Sequence, residues 1–382
     1  MEGRKQSFSD LSKNIRSEDK VIWFHAASLG EYEQGLPIME AFKQKYPQHK
    51  IVLTFFSPSG YEVRKNNTIA DVTVYLPWDT KQNAKKFLKI AHPEMVFFVK
   101  YEFWINYLNE LHQQQIPTYL VSGIFREKQA FFKWYGGFYR KALGAFDYFF
   151  LQNDASKQLI ESLGFSNAVV SGDTRFDRVY AISERDNYLD FVEQFKSDKP
   201  LMVIGSSWEA DEKLLVEYIN TCKHSTKFII APHNIKEEQI QKLKQSLKQQ
   251  VVLYSERENQ NLSSYNVFIV DTVGILTKIY SYADMAYVGG GFGNPGVHNV
   301  LEPAVFGVPI VIGPNYDHFA EATELVKLGG AISIKNQTEL NNTFDLLITD
   351  IHTRQSKGKI SFDFVTNQKG ATQKILNYFE KN

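Results

Sequence analysis

The chain has 382 residues, enough for two ordinary domains with a core each. Apolar residues make up 43%, which excludes wholesale disorder, and 43 Lys plus Arg against 43 Asp plus Glu argue against a general nucleic-acid binder. The single cysteine, Cys222, permits neither an internal disulfide nor a cysteine-based zinc site and fits a reducing compartment.

Short apolar runs alternate with helical patterns from the start. Val21 to His25 reads as a strand and Glu31 to Tyr46 as a helix. Ile51 to Phe56, Val72 to Leu76, Met95 to Val99 and Thr118 to Ser122 read as further strands, with amphipathic helices between them. Such alternation predicts parallel strands covered on both faces. The pattern weakens from about Val179 to Lys199, a charged stretch without a strong apolar face. It restarts with Leu201 to Gly205, Lys227 to Ala231, Val251 to Tyr254, Val267 to Val270, Met285 to Val288 and Pro309 to Ile312. The expectation is an α/β protein of two doubly wound, Rossmann-like domains facing a cleft. The first covers 1–182 and the second 183–382, with a hinge near 180–198 and a last helix free to pack back on the first domain. Ligands of such sheets bind beyond the carboxyl ends of the strands, so the cleft is the expected active site. No run reaches the ~18 apolar residues of a membrane span.

Met285 to Val288 leads into Gly289-Gly290-Gly291-Phe292-Gly293-Asn294-Pro295-Gly296, and then into Val297-His298-Asn299-Val300-Leu301-Glu302-Pro303. Glycines let backbone N–H groups approach a phosphate. The spacing is neither the P-loop nor the dinucleotide fingerprint, and a tight turn alone also explains it. Glu302, just inside the following helix, suits a ribose diol; a charge near a helix N-terminus is the plainer reading. In the first domain, Trp23-Phe24-His25-Ala26-Ala27-Ser28-Leu29-Gly30-Glu31 is a strand running into a helix start. Glu31 is either a general base at the cleft rim or a first-turn glutamate complementing the helix dipole, and the pattern leaves both open. His25 reads as a hydrogen-bonded strand-end residue rather than a second base.

The run His25, Ser28, Gly30, Glu31 resembles the amino-terminal signature of the Kdo transferases, which move 3-deoxy-D-manno-oct-2-ulosonic acid from CMP-Kdo onto lipid A precursors. Further motifs agree in order: Ser59-Gly60-Tyr61-Glu62, Glu102-Phe103-Trp104-Ile105-Asn106, Gly172-Asp173-Thr174-Arg175-Phe176-Asp177-Arg178, Gly205-Ser206-Ser207-Trp208-Glu209, Ala231-Pro232-His233 and Asn299-Val300-Leu301-Glu302-Pro303. The resemblance covers nearly the whole chain. It implies a GT-B fold, inverting transfer, no cofactor and no metal, with Glu31 as the base. It also implies CMP contacts from Ser206, Ser207, Glu209, Pro232, His233, Asn299 and Glu302, with Gly274 and Gly290 as backbone contacts. The family often has arginine where this chain has His233, and a neutral imidazole holds phosphate more weakly than guanidinium does. It often has proline where this chain has Ile105, a change that alters only a helix start.

On the acceptor side the reading places Ser28, Gly30 and Glu102. Arg126, Arg175 and Arg178 are candidates for the Kdo carboxylate or acceptor phosphates, since arginine suits bidentate anion contacts; interdomain or surface ion pairs explain them equally. From Phe125 to Leu143, five basic residues mix with seven large aromatic ones, a composition suited to a bilayer interface and also to a solvated core helix. The expected partners are therefore CMP-Kdo, a lipid A precursor and the cytoplasmic face of an inner membrane, with no nucleic acid. The opening Met1-Glu2-Gly3-Arg4-Lys5 lacks a signal-peptide core. The family carries an anchor before a Gly-Arg-Lys run, so the chain reads as an anchor-deleted form. The rival enzyme reading is a GT-B transferase or epimerase using a UDP-sugar.

Overall fold

The computed structural model describes residues 2–381, so the Met1 end of the expected anchor-deleted start lies outside the described residues. The chain divides into two units. The first runs to Arg178 and takes back the chain from Gln368 onward; the second is Val179–Asn367. The boundary drawn from sequence at 182/183 falls inside the helix Thr174–Ser183. The charged stretch after it is not a bare connector, because Asp190–Lys196 is helical and buries Val192 and Phe195 completely.

The first unit is built on a seven-stranded sheet: β1 (Lys20–His25), β2 (His49–Phe55), β3 (Val72–Tyr75), β4 (Met95–Val99), β5 (Thr118–Gly123), β6 (Tyr148–Leu151) and β7 (Ala168–Val170). Its order is β3-β2-β1-β4-β5-β6-β7 and every pairing is parallel. Ile22 registers with Ile51 on one side and Met95 on the other. A parallel strand covered on both faces must be apolar at every position, and β1 after Lys20 is buried throughout. The helix Lys81–Ala91 shows how the layers are made. Thr80 caps it by accepting from the Asn83 N–H at 3.2 Å. Ala84, Phe87, Leu88 and Ala91 then fall on one buried stripe at spacings of three and four. Burying Phe87 alone is worth about 1.5–3 kcal/mol.

The C-terminal helix Ala371–Lys381 belongs to this unit. Its Phe379 ring lies 5.0 Å from Phe42 and 4.8 Å from Tyr119, and Ile375 is fully buried. Asp177 fixes its start, accepting from the Thr372 N–H at 2.7 Å and the Thr372 hydroxyl at 2.9 Å.

The second unit has β8 (Leu201–Ser207), β9 (Lys227–Pro232), β10 (Val251–Leu253), β11 (Val267–Ile269), β12 (Met285–Val288), β13 (Ile310–Ile312) and β14 (Ala331–Ser333). The order is β10-β11-β9-β8-β12-β13-β14, again all parallel. In the first sheet the chain steps outward from β1 to β3 and restarts at β4 on the other side of β1. In the second it runs from β8 through β9 to the edge strand β10, inserts β11 between β10 and β9, and restarts at β12 on the other side of β8. The reversal lies between β1 and β4 in the first unit and between β8 and β12 in the second. Loops leaving two such strands diverge at their carboxyl ends and leave a crevice there, the usual ligand position of an open α/β sheet.

Candidate active site

At the first reversal, the loop after β1 carries Ser28 and leads into the helix turn that holds Glu31, and the loop after β4 carries Tyr101 and Glu102. Ser28 is the N-cap of the helix Leu29–Lys45, and Glu31 is its third residue. Glu31 is buried, 4% exposed. One oxygen, Oε2, accepts from the Ser28 backbone N–H at 2.6 Å and from the Ser28 hydroxyl. The backbone bond is the glutamate half of the cap expected from a S-x-x-E spacing, and the serine hydroxyl here turns to the same carboxylate. It leaves Oε1 without a hydrogen bond among the described residues. Gly30 sits on the exposed turn between them.

Glu102 has a comparably fixed carboxylate. Its Oε2 accepts from Trp104 Nε1–H at 2.8 Å and lies 3.5 Å from Nε2 of the fully buried His25. His25 Nδ1 meets the Thr54 hydroxyl at 2.8 Å, and that hydroxyl also accepts from Trp23 Nε1–H at 2.8 Å. His25 is thus the hydrogen-bonded strand-end residue its pattern suggested. Burial alone pushes the Glu102 carboxyl up, but the His25 contact, the Trp104 bond and Lys100 outweigh it and hold the acid below its usual range. Tyr101 reports the shared field. Its phenol is raised by burial first and then by the Glu31 and Glu102 charges, while Arg126 opposes them. Glu31, Glu102 and Arg126 are therefore all near enough to Tyr101 to act on it, at the carboxyl ends of β1, β4 and β5.

Arg175 and Arg178 already hold carboxylates. Arg175 grips Asp173 at 2.8–2.9 Å, and Gln34 Nε2–H donates to the same acid at 3.0 Å. Arg178 Nε–H donates to Glu33 at 3.0 Å, and Arg64 donates to the other Glu33 oxygen at 2.8 Å. These contacts tie the helix Leu29–Lys45 to the segment after β7.

At the second reversal the glycine turn packs directly on the β8 turn. A Cβ on Gly289 would overlap the Ser206 carbonyl. Gly290 has φ +93°, and a Cβ there would overlap the Gly296 carbonyl. Only glycine fits both places. Asp211, fully buried, fastens the two turns. Its Oδ2 accepts from the Trp208 N–H at 2.9 Å and the Gly290 N–H at 2.8 Å, and its Oδ1 accepts from the Tyr287 hydroxyl at 2.8 Å. Beside it, the Trp208 ring stacks on His233 with centroids 4.3 Å apart, and His233 stacks on His298 at 4.6 Å. Trp208 Nε1–H donates to His298 Nε2 at 2.8 Å.

The predicted nucleotide residues fall into two groups in this unit. Ser207, Glu209 and Pro232 line a pocket of about 580 Å³ together with Trp208, Lys213 and Lys242. Within it the Ser207 hydroxyl donates to Glu212 at 3.0 Å, and Glu209 pairs with Lys242 at 2.6 Å. Asn299 and Glu302 form the other group: Glu302 accepts from Asn299 Nδ2–H at 3.0 Å and from the Thr277 hydroxyl at 3.0 Å. Gly274, at φ +90°, opens the segment leading to Thr277. Ser206 is left-handed at φ +52°, and His233 is anchored by its N–H to the Ser207 carbonyl at 2.8 Å. Sequence reasoning missed Asp211 and His298, although both lie inside motifs that it quoted or bordered.

The aromatic-basic segment is one 3-10 turn, Ala130–Phe132, and a short helix, Gly137–Leu143. Phe125 and Phe131 are core residues, whereas Trp134 is 91% exposed and Tyr135, Phe138 and Tyr139 are exposed beside it. No described helix is long and apolar enough to cross a membrane.

Residues 2–178 match the sequence model of the 3-deoxy-D-manno-octulosonic-acid transferase (kdotransferase) family. The 3-deoxy-D-manno-octulosonic acid transferase of Chlamydia trachomatis serovar D is 28% identical over 95% of this chain and 86% of its own. Among solved structures, UDP-GlcNAc 2-epimerase from Neisseria meningitidis superposes with a TM-score of 0.65 at 15% identity, covering 95% of this chain and all of its own. MurG of Acinetobacter baumannii gives 0.60 at 14% identity over 95% of this chain and all of its own. At such identities the two structures speak for the fold alone. Residues 2–178 thus carry the Kdo transferase family's N-terminal domain, the chain is similar to Kdo transferases along nearly its whole length, and its two parallel sheets have the GT-B fold.

Proposed function

We propose that the chain transfers Kdo from CMP-Kdo to a hydroxyl of a lipid A precursor, with inversion at the anomeric carbon and Glu31 as general base. The observation that carries this reading is the Glu31 carboxylate, buried and pinned through one oxygen to Ser28. A base held in that way keeps its second oxygen for the acceptor proton, without loss of side-chain order on binding. As the proton moves to Glu31, the acceptor oxygen bonds to the Kdo anomeric carbon, and the bond from that carbon to the CMP phosphate breaks. The electron pair leaves with CMP. Glu102, kept ionised beside Glu31, accepts from further acceptor hydroxyls, and Arg126 meets acceptor phosphate or the Kdo carboxylate.

The second unit is the proposed holder of the donor. A ribose diol donates to Glu302, and the glycine turn faces the phosphate. CMP carries one phosphate, so the leaving group needs less charge neutralised than a diphosphate would, and the proposal includes no metal. The exposed rings of Trp134, Tyr135, Phe138 and Tyr139, with Lys128 and Lys141, support contact with the anionic inner face of a membrane, where the lipid acceptor resides.

Glu31→Gln keeps the shape and an oxygen for the Ser28 N–H but removes the base. Transfer is expected to fall about 10²–10⁴-fold, with CMP affinity within twofold of the native value. Unchanged turnover overturns the base assignment, and tighter binding of UDP than of CMP overturns the donor assignment.

A further inference from the structure

The imidazole pair beside the glycine turn, His233 and His298, has no part in the mechanism above. Trp208 Nε1–H donates to His298 Nε2. A ring nitrogen that accepts carries no proton, so neutral His298 carries its proton on Nδ1. Burial lowers the proton affinity of His298, the nearby His233 adds to this, and Asp211 opposes it. Burial lowers that of His233 as well. Both rings are therefore neutral near pH 7. Nδ1–H of His298 has no acceptor among the described residues.

The position is telling. His298 follows the glycine turn directly, and its backbone N–H closes that turn on the Gly289 carbonyl at 3.1 Å. The three stacked rings rise from the loops after β8, β9 and β12, the three central strands of the sheet. Charge sorts the ends of the site. Glu302 presents a carboxylate, which suits a diol and repels an anion. The glycine amides at 289, 290, 293 and 296 are already bonded within the fold, so the imidazoles supply the neutral N–H donors that suit an anion.

We propose that His298 donates from Nδ1 to a phosphate oxygen of the bound nucleoside monophosphate ester, with Trp208 as the positioning residue that fixes its tautomer. This rests on the CMP-sugar reading.

The test is calorimetric titration of the full chain with CMP and with cytidine. His298→Ala is expected to weaken CMP about 10-fold or more and to leave cytidine within about twofold. His298→Asn places an amide N–H near the Nδ1 position and is expected to restore CMP affinity to within about threefold of native. Trp208→Phe keeps the stacked ring but loses the indole N–H, and is expected to weaken CMP about 3–10-fold. Nitrogen NMR of His298 is expected to show one Nδ1–H tautomer in the native chain and a mixture in that variant. Equal loss of CMP and cytidine, no loss of either, or a native Nε2–H tautomer overturns the inference. A native chain that binds UMP in place of CMP overturns the donor reading instead, and the His298→Ala comparison is then read on UMP against uridine.

Discussion

Asp211→Ala is the sharpest perturbation of the second unit's framework. The native carboxylate is fully buried and serves three donors: the backbone amides of Trp208 and Gly290 and the hydroxyl of Tyr287. Alanine leaves all three without an acceptor. Each orphaned buried donor costs about 1–3 kcal/mol. Water entering the vacated polar space returns part of this, so the unit is expected to lose about 3–5 kcal/mol. For a domain of this size 1 kcal/mol moves Tm by about 2–4 °C, which predicts a fall of about 6–20 °C. Asp211→Asn is expected to cost only about 1–2 kcal/mol, because its amide oxygen still accepts from both backbone N–H groups and its NH₂ can donate to the Tyr287 oxygen. Urea denaturation gives the energies, and amide exchange at Gly290 shows whether the glycine turn has come loose. An alanine variant within about 1 kcal/mol of native, or an asparagine variant as damaging as alanine, refutes the idea that this carboxylate clamps the turns.

Three further outcomes follow from other parts of the molecule. Ser28→Ala removes the hydroxyl bond to Glu31 and keeps the backbone one; kcat is expected to fall about 5–50-fold with CMP affinity unchanged, and an unchanged kcat shows that the cap does not position the base. Tyr119 is pushed up to about 12 by burial first and by nearby Tyr378, Asp147 and Tyr46. Since the raised value belongs to the folded state, the stability it contributes is complete below pH 10 and is lost as pH rises from about 10 to 12; Tyr119→Phe should flatten that part of the alkaline unfolding curve, and an unaltered curve contradicts the assignment. Replacing Trp134 and Phe138 by serine together is expected to reduce sedimentation with vesicles containing anionic lipid at least several-fold, whereas undiminished sedimentation removes this surface from the proposal.

The fold was legible because both sheets are parallel and buried on two faces. Runs such as Met95–Val99 and Met285–Val288 are apolar at every position, and the structure gives those two the bounds read from sequence. β6, β7 and β14 escaped notice: β7 and β14 are only three residues long at sheet edges, where little apolar surface is needed, whereas β6 is an interior four-residue apolar run that the pattern reading passed over. The C-terminal helix carries its stripe in Ile375 and Phe379, but nothing local says which core receives it. At the site, the serine–glutamate cap is a spacing signal, whereas Asp211 looks like any first-turn acid. Its carboxylate turns inward to Gly290, 79 residues away, a contact that only the sheet order creates. Arg175 and Arg178 were read as anion binders because their partners could not be seen. Asp173 lies two residues before one of them, and Glu33 is reached only through the packing of another helix.

The central claim is a transfer, and its most direct test is product mass. The full chain is incubated with CMP-Kdo and a tetraacylated lipid A precursor, alongside Glu31→Gln. The account predicts an acceptor heavier by one or more Kdo units, CMP released in equal amount, and background product from the variant. Release of CMP without any gain in acceptor mass, or equal product from the variant, would contradict it.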